Sequence, residues 1–181
     1  MNAKLDRKNA SVLVVDVQDR LTPVMWNFAP VEKYCCAMIK AARDLDVPVL
    51  ASEQYPKGLG VTLGSIRELL PSPPLVKMHF SCGADAELSK ALGATGRKQV
   101  IVVGIETHVC VFQTVRDLLG EGYEVFLCAD ATTSRFEEHR RVAIELMRDL
   151  GAVITSAETS IFDLLHVCGT PEFKRVAPYV K

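Results

Sequence analysis

The sequence predicts an α/β fold: a three-layer, Rossmann-like arrangement with a parallel sheet between two layers of helices. Three observations carry this reading. Short apolar runs alternate at least six times with stretches whose apolar residues recur at three and four positions. The strand-like run over residues 11–17, SVLVVDV, is nearly continuously apolar, as a central parallel strand buried on both faces requires. No internal repeat or linker divides the 181 residues, so the chain reads as a single domain over 1–181. Its core spans about residues 11–165, and the tail over 166–181 has no clear pattern.

The first strand, 11–17, carries Asp16 near its carboxyl end. A long loop holding Gln18, Trp26 and Phe28 follows, and Pro30 starts a helix. The apolar face of that helix is Val31, Tyr34, Cys35, Met38, Ile39, Ala42 and Leu45. Residues 47–51, VPVLA, make a second strand, and SEQYPKGLGVT after it reads as a loop with Pro56, Gly58 and Gly60 as turn residues. A short helix over about 64–70 ends at PSPP. The third strand, 75–79, contains Lys77, and a helix over about 84–92 stops at Gly93 and Gly96. The fourth strand, 99–103, runs into Gly104 and a polar corner, Ile105-Glu106-Thr107-His108. Cys110 then falls at the mouth of a helix that buries Val111, Val115, Leu118 and Leu119. The fifth strand, 123–128, precedes ADATTSR. A helix over 136–150 with the stripe Val142, Ala143, Leu146, Met147 and Leu150 is closed by Gly151. A sixth strand over 152–155 and a last helix over 156–165 complete the pattern.

Composition narrows the functional classes. Hydrophobic residues make up 49% and charged residues 24%, which is a globular balance. The formal net charge is -1 and no basic block occurs, which argues against nucleic acid or an anionic membrane as partner. The apolar runs are strand-sized, too short to cross a bilayer, and MNAKLDRKNA lacks the apolar segment of a secretory signal. The expected location is therefore the cytoplasm. The 6 cysteines show no C-x-x-C spacing and no disulfide framework, so most are expected to be reduced structural residues.

Asp16, Lys77 and Cys110 all fall at or near strand carboxyl ends, where open parallel sheets place their sites. A thiol at a strand-to-helix corner meets free N–H groups and the positive end of a helix, both of which favour its thiolate. Asp16 is a candidate proton acceptor for Cys110, and Lys77 a candidate counter-charge. Corner N–H groups would serve as an oxyanion hole, and Thr107 could cap the helix. Taken singly, each residue also has a structural reading. The acid could cap a helix or pair with a base, the lysine could stretch to solvent, and the cysteine could pack as a small apolar residue. His108 reads as a helix-start residue, and Asp130, Ser134 and Arg135 as braces of a turn or interface.

The segments VLVVDVQDRL with Asp16 and Gln18, SEQYPKGLG, Lys77, GIETHVCV and DATTSR together resemble the isochorismatase-like cysteine hydrolase superfamily. The resemblance covers about residues 11–165 and is strongest to isochorismatase-domain-containing proteins and small bacterial cysteine hydrolases. It implies a six-stranded parallel sheet in the order 3-2-1-4-5-6 and an Asp16–Lys77–Cys110 triad. It further implies a non-proline cis peptide at Ile105-Glu106, with the Glu106 and Cys110 N–H groups on the oxyanion. A dimer or larger homo-oligomer and hydrolysis of small-molecule amides through a thioester also follow from it.

Two departures narrow the substrate. The nicotinamidase branch places an Asp and two His after the second strand to bind a metal, whereas the matching loop here, residues 53–60, has no histidine. No metal and no cofactor are expected. True isochorismatases lack the cysteine, so Cys110 argues against isochorismate. Trp26, Phe28 and Tyr55 are candidate apolar walls of the pocket, or packing residues under a loop or interface. Gln18, Glu53 and Gln54 are candidate polar contacts. The expected function is a metal-independent cysteine hydrolase of an amide or related C–N bond. The rival readings are a catalytically weak scaffold or interaction protein, a redox-sensing thiol at Cys110, and vinyl-ether hydrolysis of the isochorismatase type.

Overall fold

The computed structural model describes residues 4–181. Six strands, β1 (Ala10–Val15), β2 (Val49–Gln54), β3 (Leu75–Lys77), β4 (Gln99–Ile105), β5 (Glu124–Thr133) and β6 (Val153–Thr155), form one sheet. Every pairing is parallel and the order is β3-β2-β1-β4-β5-β6, the order that the family resemblance implies. The central strands are buried on both faces, and their side chains alternate between two cores. Val12, Val14, Ile101, Val103, Phe126 and Cys128 face one core, which α1 (Phe28–Asp44) and α7 (Ala157–Leu165) cover. Leu13, Val15, Val100, Val102, Val125 and Leu127 face the other, under α4 (Ala86–Ala94), α5 (Phe112–Gly120) and α6 (Glu137–Asp149). Two single-turn helices, α2 (Pro56–Leu59) and α3 (Gly64–Arg67), shape the connection from β2 to β3.

Several boundaries differ from the sequence pattern: β3 ends at Lys77 and not at 79, β4 continues through Gly104 to Ile105, β6 starts at Val153, and α1 opens at Phe28, before Pro30. The second strand starts at Val49 and continues through Ser52, Glu53 and Gln54, which were expected in a loop. Their polar side chains are buried because each meets a partner from another segment, Asp16, Thr62 and Lys77 in turn, which removes the penalty that polarity alone would predict. β5 runs to Thr133, resuming its pairing with β4 after an irregularity at Val102/Gly104. The tail contains α8 (Pro171–Val176), capped by Thr170, with Val176 buried and Tyr179 bonded to Asp44 of α1. Among the described residues no helix is long and apolar enough to cross a membrane.

Candidate active site

The site lies past the carboxyl ends of β1, β3 and β4. Asp16 follows β1 directly and turns out of the strand with φ +49°, a left-handed conformation that Asp adopts more readily than most residues. Val15, just before it, pairs with Gly104 of β4, so the Asp16 turn and the corner after β4 are neighbours. The two backbones approach so closely that a Cβ on Gly104 would fall 2.1 Å from the Val15 carbonyl oxygen. Glycine is therefore required there, and its φ of +118° leads to the same conclusion.

Lys77 ends β3, and its ammonium is wholly buried. Its Nζ donates to Asp16 Oδ2 at 2.7 Å, Gln54 Oε1 at 2.7 Å, the Phe80 carbonyl at 2.9 Å and the His79 carbonyl at 3.2 Å. An ammonium has three protons, so these four acceptors leave none for a substrate. Lys77 acts on the site through charge and position. Burial works against that charge, but the Asp16 carboxylate beside it prevails and holds Lys77 above the usual lysine range.

Cys110 lies in a single π-helical turn, Thr107–Val111, that precedes α5, rather than at the mouth of the α-helix itself. The residue is 7% exposed. Burial, reinforced by the Asp16 carboxylate, pushes its ionisation far above the ordinary range, and the Lys77 charge offsets only part of that. Desolvation and a neighbouring negative charge therefore work against the thiolate that the strand-to-helix corner is expected to favour. Thr107 does not cap the helix either; its hydroxyl is paired with that of Thr132 on β5 at 2.9 Å. The Ile105-Glu106 peptide is cis. Arg135 donates to the Glu106 carboxylate from both its backbone N–H and its side chain at 3.2 Å, and Ser134 Oγ lies 3.0 Å from His108 Nδ1. Asp130 accepts from the Ala157 N–H. Asp130, Ser134 and Arg135 of the DATTSR segment thus brace the chain around the corner and the start of α7.

The structure separates the expected pocket residues. Gln18 is fully buried; its Nε2 donates to the carbonyls of Gln54 and Gly60 at 3.0 and 2.6 Å, and its Oε1 accepts from the Gln54 N–H at 2.8 Å. Glu53 Oε1 accepts from both the N–H and the hydroxyl of Thr62, at 2.6 and 2.7 Å. Gln54 spends its amide on Lys77 and the Met78 carbonyl. These three residues, expected as polar substrate contacts, hold the loops together. Phe28 opens α1 and packs on the core. Trp26 and Tyr55 remain partly exposed, at 37% and 46%, and the Tyr55 N–H donates to the Lys77 carbonyl. Two residues of the site were not singled out from the sequence, Ser52 and Cys82. Ser52 Oγ donates to Asp16 Oδ1 at 2.7 Å, and Cys82 Sγ donates to Ser52 Oγ at 3.5 Å. Nothing in their local sequence marks them. Among the described residues no group of three or more His, Cys, Asp or Glu side chains could hold a metal ion.

Fold and site together define a three-layer α/β protein with a buried carboxylate–ammonium pair beside a thiol. The chain belongs to the isochorismatase family: the isochorismatase domain model matches residues 10–159. The secreted isochorismatase effector Isc1 of Phytophthora sojae is 39% identical over 179 residues, spanning 96% of this chain and 85% of that protein. Isochorismatase domain-containing protein 1 of Danio rerio is 36% identical over 92% of this chain, which spans only 59% of that longer protein. Among solved structures, one described as the MAR1 ribonuclease from Caenorhabditis elegans superposes with a TM-score of 0.93 at 34% identity, covering 98% of this chain and 92% of that one.

Proposed function

We propose that this protein is a metal-independent cysteine hydrolase of a small-molecule amide or related C–N bond. The observation that carries the reading is the buried Asp16–Lys77 pair at 2.7 Å, whose two charges both act on the Cys110 thiol. A thiol held in its neutral form needs a base at the moment of attack, and Asp16 is the adjacent acceptor. Asp16 takes the proton as sulfur adds to the carbonyl carbon, while the backbone N–H groups of Glu106 and Cys110 receive the developing oxyanion. The carboxyl then protonates the leaving amine and a thioester forms on Cys110. Water, deprotonated by Asp16, hydrolyses the thioester, releasing the acid and restoring the thiol. Lys77 keeps the carboxylate charged between steps. Trp26 and Tyr55 are the proposed apolar walls of the substrate pocket.

Metal independence is supported by the donor chemistry after β2. Residues 53–60 contain no imidazole, and the side chains of Glu53 and Gln54 are already bonded to Thr62, Lys77 and Met78. Six free thiols support a reducing compartment, the cytoplasm, although the Phytophthora relative is named as secreted. A homo-oligomer is supported by exposed apolar residues on α6 and just beyond its ends, Phe136, Val142, Leu146 and Leu150. Ribonuclease activity, the description of the C. elegans structure, gains no support from a net charge of -1. Vinyl-ether hydrolysis remains the second reading because of the names of the relatives.

The test is a small-amide library screened for turnover, with the quenched enzyme read by mass for an acyl adduct on Cys110. The expected result is a thioester in the wild type and no turnover in Cys110→Ala. Full turnover of a validated amide by Cys110→Ala overturns the mechanism, and turnover of isochorismate by that variant establishes the second reading. An oxidised Cys110 with no adduct from any amide favours the redox reading. Neither turnover nor oxidation favours the scaffold.

A further inference from the structure

We infer that Ser52 is a positioning residue for Asp16, and that Cys82 fixes the direction in which the Ser52 hydroxyl donates. The inference rests on the reading of Asp16 as the base. Ser52 lies in β2, next to β1, and is 1% exposed. It meets Asp16 twice, for its carbonyl accepts the Asp16 N–H at 3.2 Å and its hydroxyl donates to Asp16 Oδ1 at 2.7 Å. Lys77 holds the other oxygen, Oδ2, at 2.7 Å. The carboxylate is thus gripped through both oxygens by donors from two different strands, which fixes its rotation as well as its charge.

A hydroxyl has one proton, and what donates to its oxygen decides where that proton points. Cys82 Sγ donates to Ser52 Oγ at 3.5 Å, leaving the Ser52 proton for Asp16. Cys82 is itself anchored, because its N–H donates to Thr114 Oγ1 at 2.9 Å, and Thr114 stands one helical turn beyond Cys110. Burial pushes the Cys82 thiol up to about 11, so at neutral pH it remains a donor. The relay runs from Cys82 through Ser52 to Asp16, and every polar atom along it is buried and bonded. Remove the Ser52 hydroxyl and Oδ1 loses that donor in a buried site. The carboxylate then rotates or takes up a proton, and in either state it accepts the Cys110 proton less well.

The experiment measures carbamidomethylation of Cys110 by iodoacetamide as a function of pH, read by peptide mass, and needs no knowledge of the substrate. In Ser52→Ala the neutral-pH rate falls about tenfold, the order expected for one lost hydrogen bond to a charged group, and the acid limb moves to higher pH. Ser52→Thr, which keeps the hydroxyl, restores both. The buried thiols of Cys35 and Cys128 report on folding in the same digest, since both stay unmodified while the core is intact. A Ser52→Ala profile that overlays the wild type overturns the inference. Where Ser52→Ala exposes Cys35 and Cys128, Cys82→Ala decides: a slower Cys110 supports the relay and an unchanged one overturns it. Asp16→Asn separates the two levels of the argument. If Asp16→Asn alters Cys110 reactivity and Ser52→Ala does not, the positioning role falls and the hydrolase reading stands; if neither alters it, Asp16 is not the base and both fall.

Discussion

Lys77 Nζ stands 2.7 Å from Asp16 Oδ2, and neither side chain has any exposed surface. Removing one member of such a pair leaves the other as an uncompensated charge in a low-dielectric site. Lys77→Met is expected to destabilise the fold by about 3–5 kcal/mol, and the double variant Asp16→Asn/Lys77→Met to recover part of that loss. Urea unfolding measures both. A Lys77→Met protein as stable as the wild type would contradict the buried pairing.

Stability is expected to fall as pH rises above about 9. The buried thiols of Cys82 and Cys128 are pushed from an ordinary value of 9.0 up to about 11 and about 12, by burial in both cases. A group raised on folding contributes stability that is whole below its unfolded value and is lost as pH climbs toward its folded one. Over that window the unfolded chain releases thiol protons that the folded chain retains, so the slope is negative, roughly 1 kcal/mol per pH unit per thiol. Lys77 is also raised and has the same sign in the more alkaline range. Urea midpoints at pH 7.5, 9 and 10.5 test this; in Cys128→Ala the decline should be shallower, and an identical slope would refute the assignment of the thiol.

Gly104→Ala is expected to abolish soluble expression or lower stability by more than about 3 kcal/mol. The added methyl would meet the Val15 carbonyl at 2.1 Å, and φ is +118°, so both backbone strands at the site would have to move. Soluble yield and thermal melting are the measurements. A wild-type melting curve would show that the β1–β4 approach is looser than described.

Dialysis against EDTA is expected to leave turnover of any validated amide unchanged, and added zinc to give no stimulation. The side chains of Glu53 and Gln54 would have to abandon Thr62, Lys77 and Met78 before either could reach a metal. Loss of activity on chelation, restored by one specific metal, would overturn metal independence.

Much of the frame is written locally in the sequence. β1 and β4 announce themselves as apolar runs, and Asp16, Lys77 and Cys110 stand at strand ends that the alternating pattern locates. The end of β2 does not, because Ser52, Glu53 and Gln54 look like a loop until Asp16, Thr62 and Gln18 arrive from elsewhere to satisfy them. The helix over residues 171–176 is too short for its periodicity to be read. The state of the Cys110 thiol is not legible in the sequence for a related reason. A strand-to-helix corner is a local feature, whereas burial and the Asp16 charge come from the tertiary fold. Gln18, Glu53 and Gln54 sit near the site, as their positions suggested, but their side chains were already committed to the backbone and to Lys77.

Those commitments separate the parts of the protein that can vary from those that cannot. Gln18 ties the segment after β1 to Gln54 and Gly60, and Ser134 and Thr133 hold the backbone on both sides of Trp26. The side chains at positions 26 and 55 therefore project from backbone that is fastened by hydrogen bonds to its main-chain atoms. Exchanging them leaves the donors to Asp16 in place, so on the proposed pocket reading substrate range can be altered at two positions without rebuilding the reactive centre.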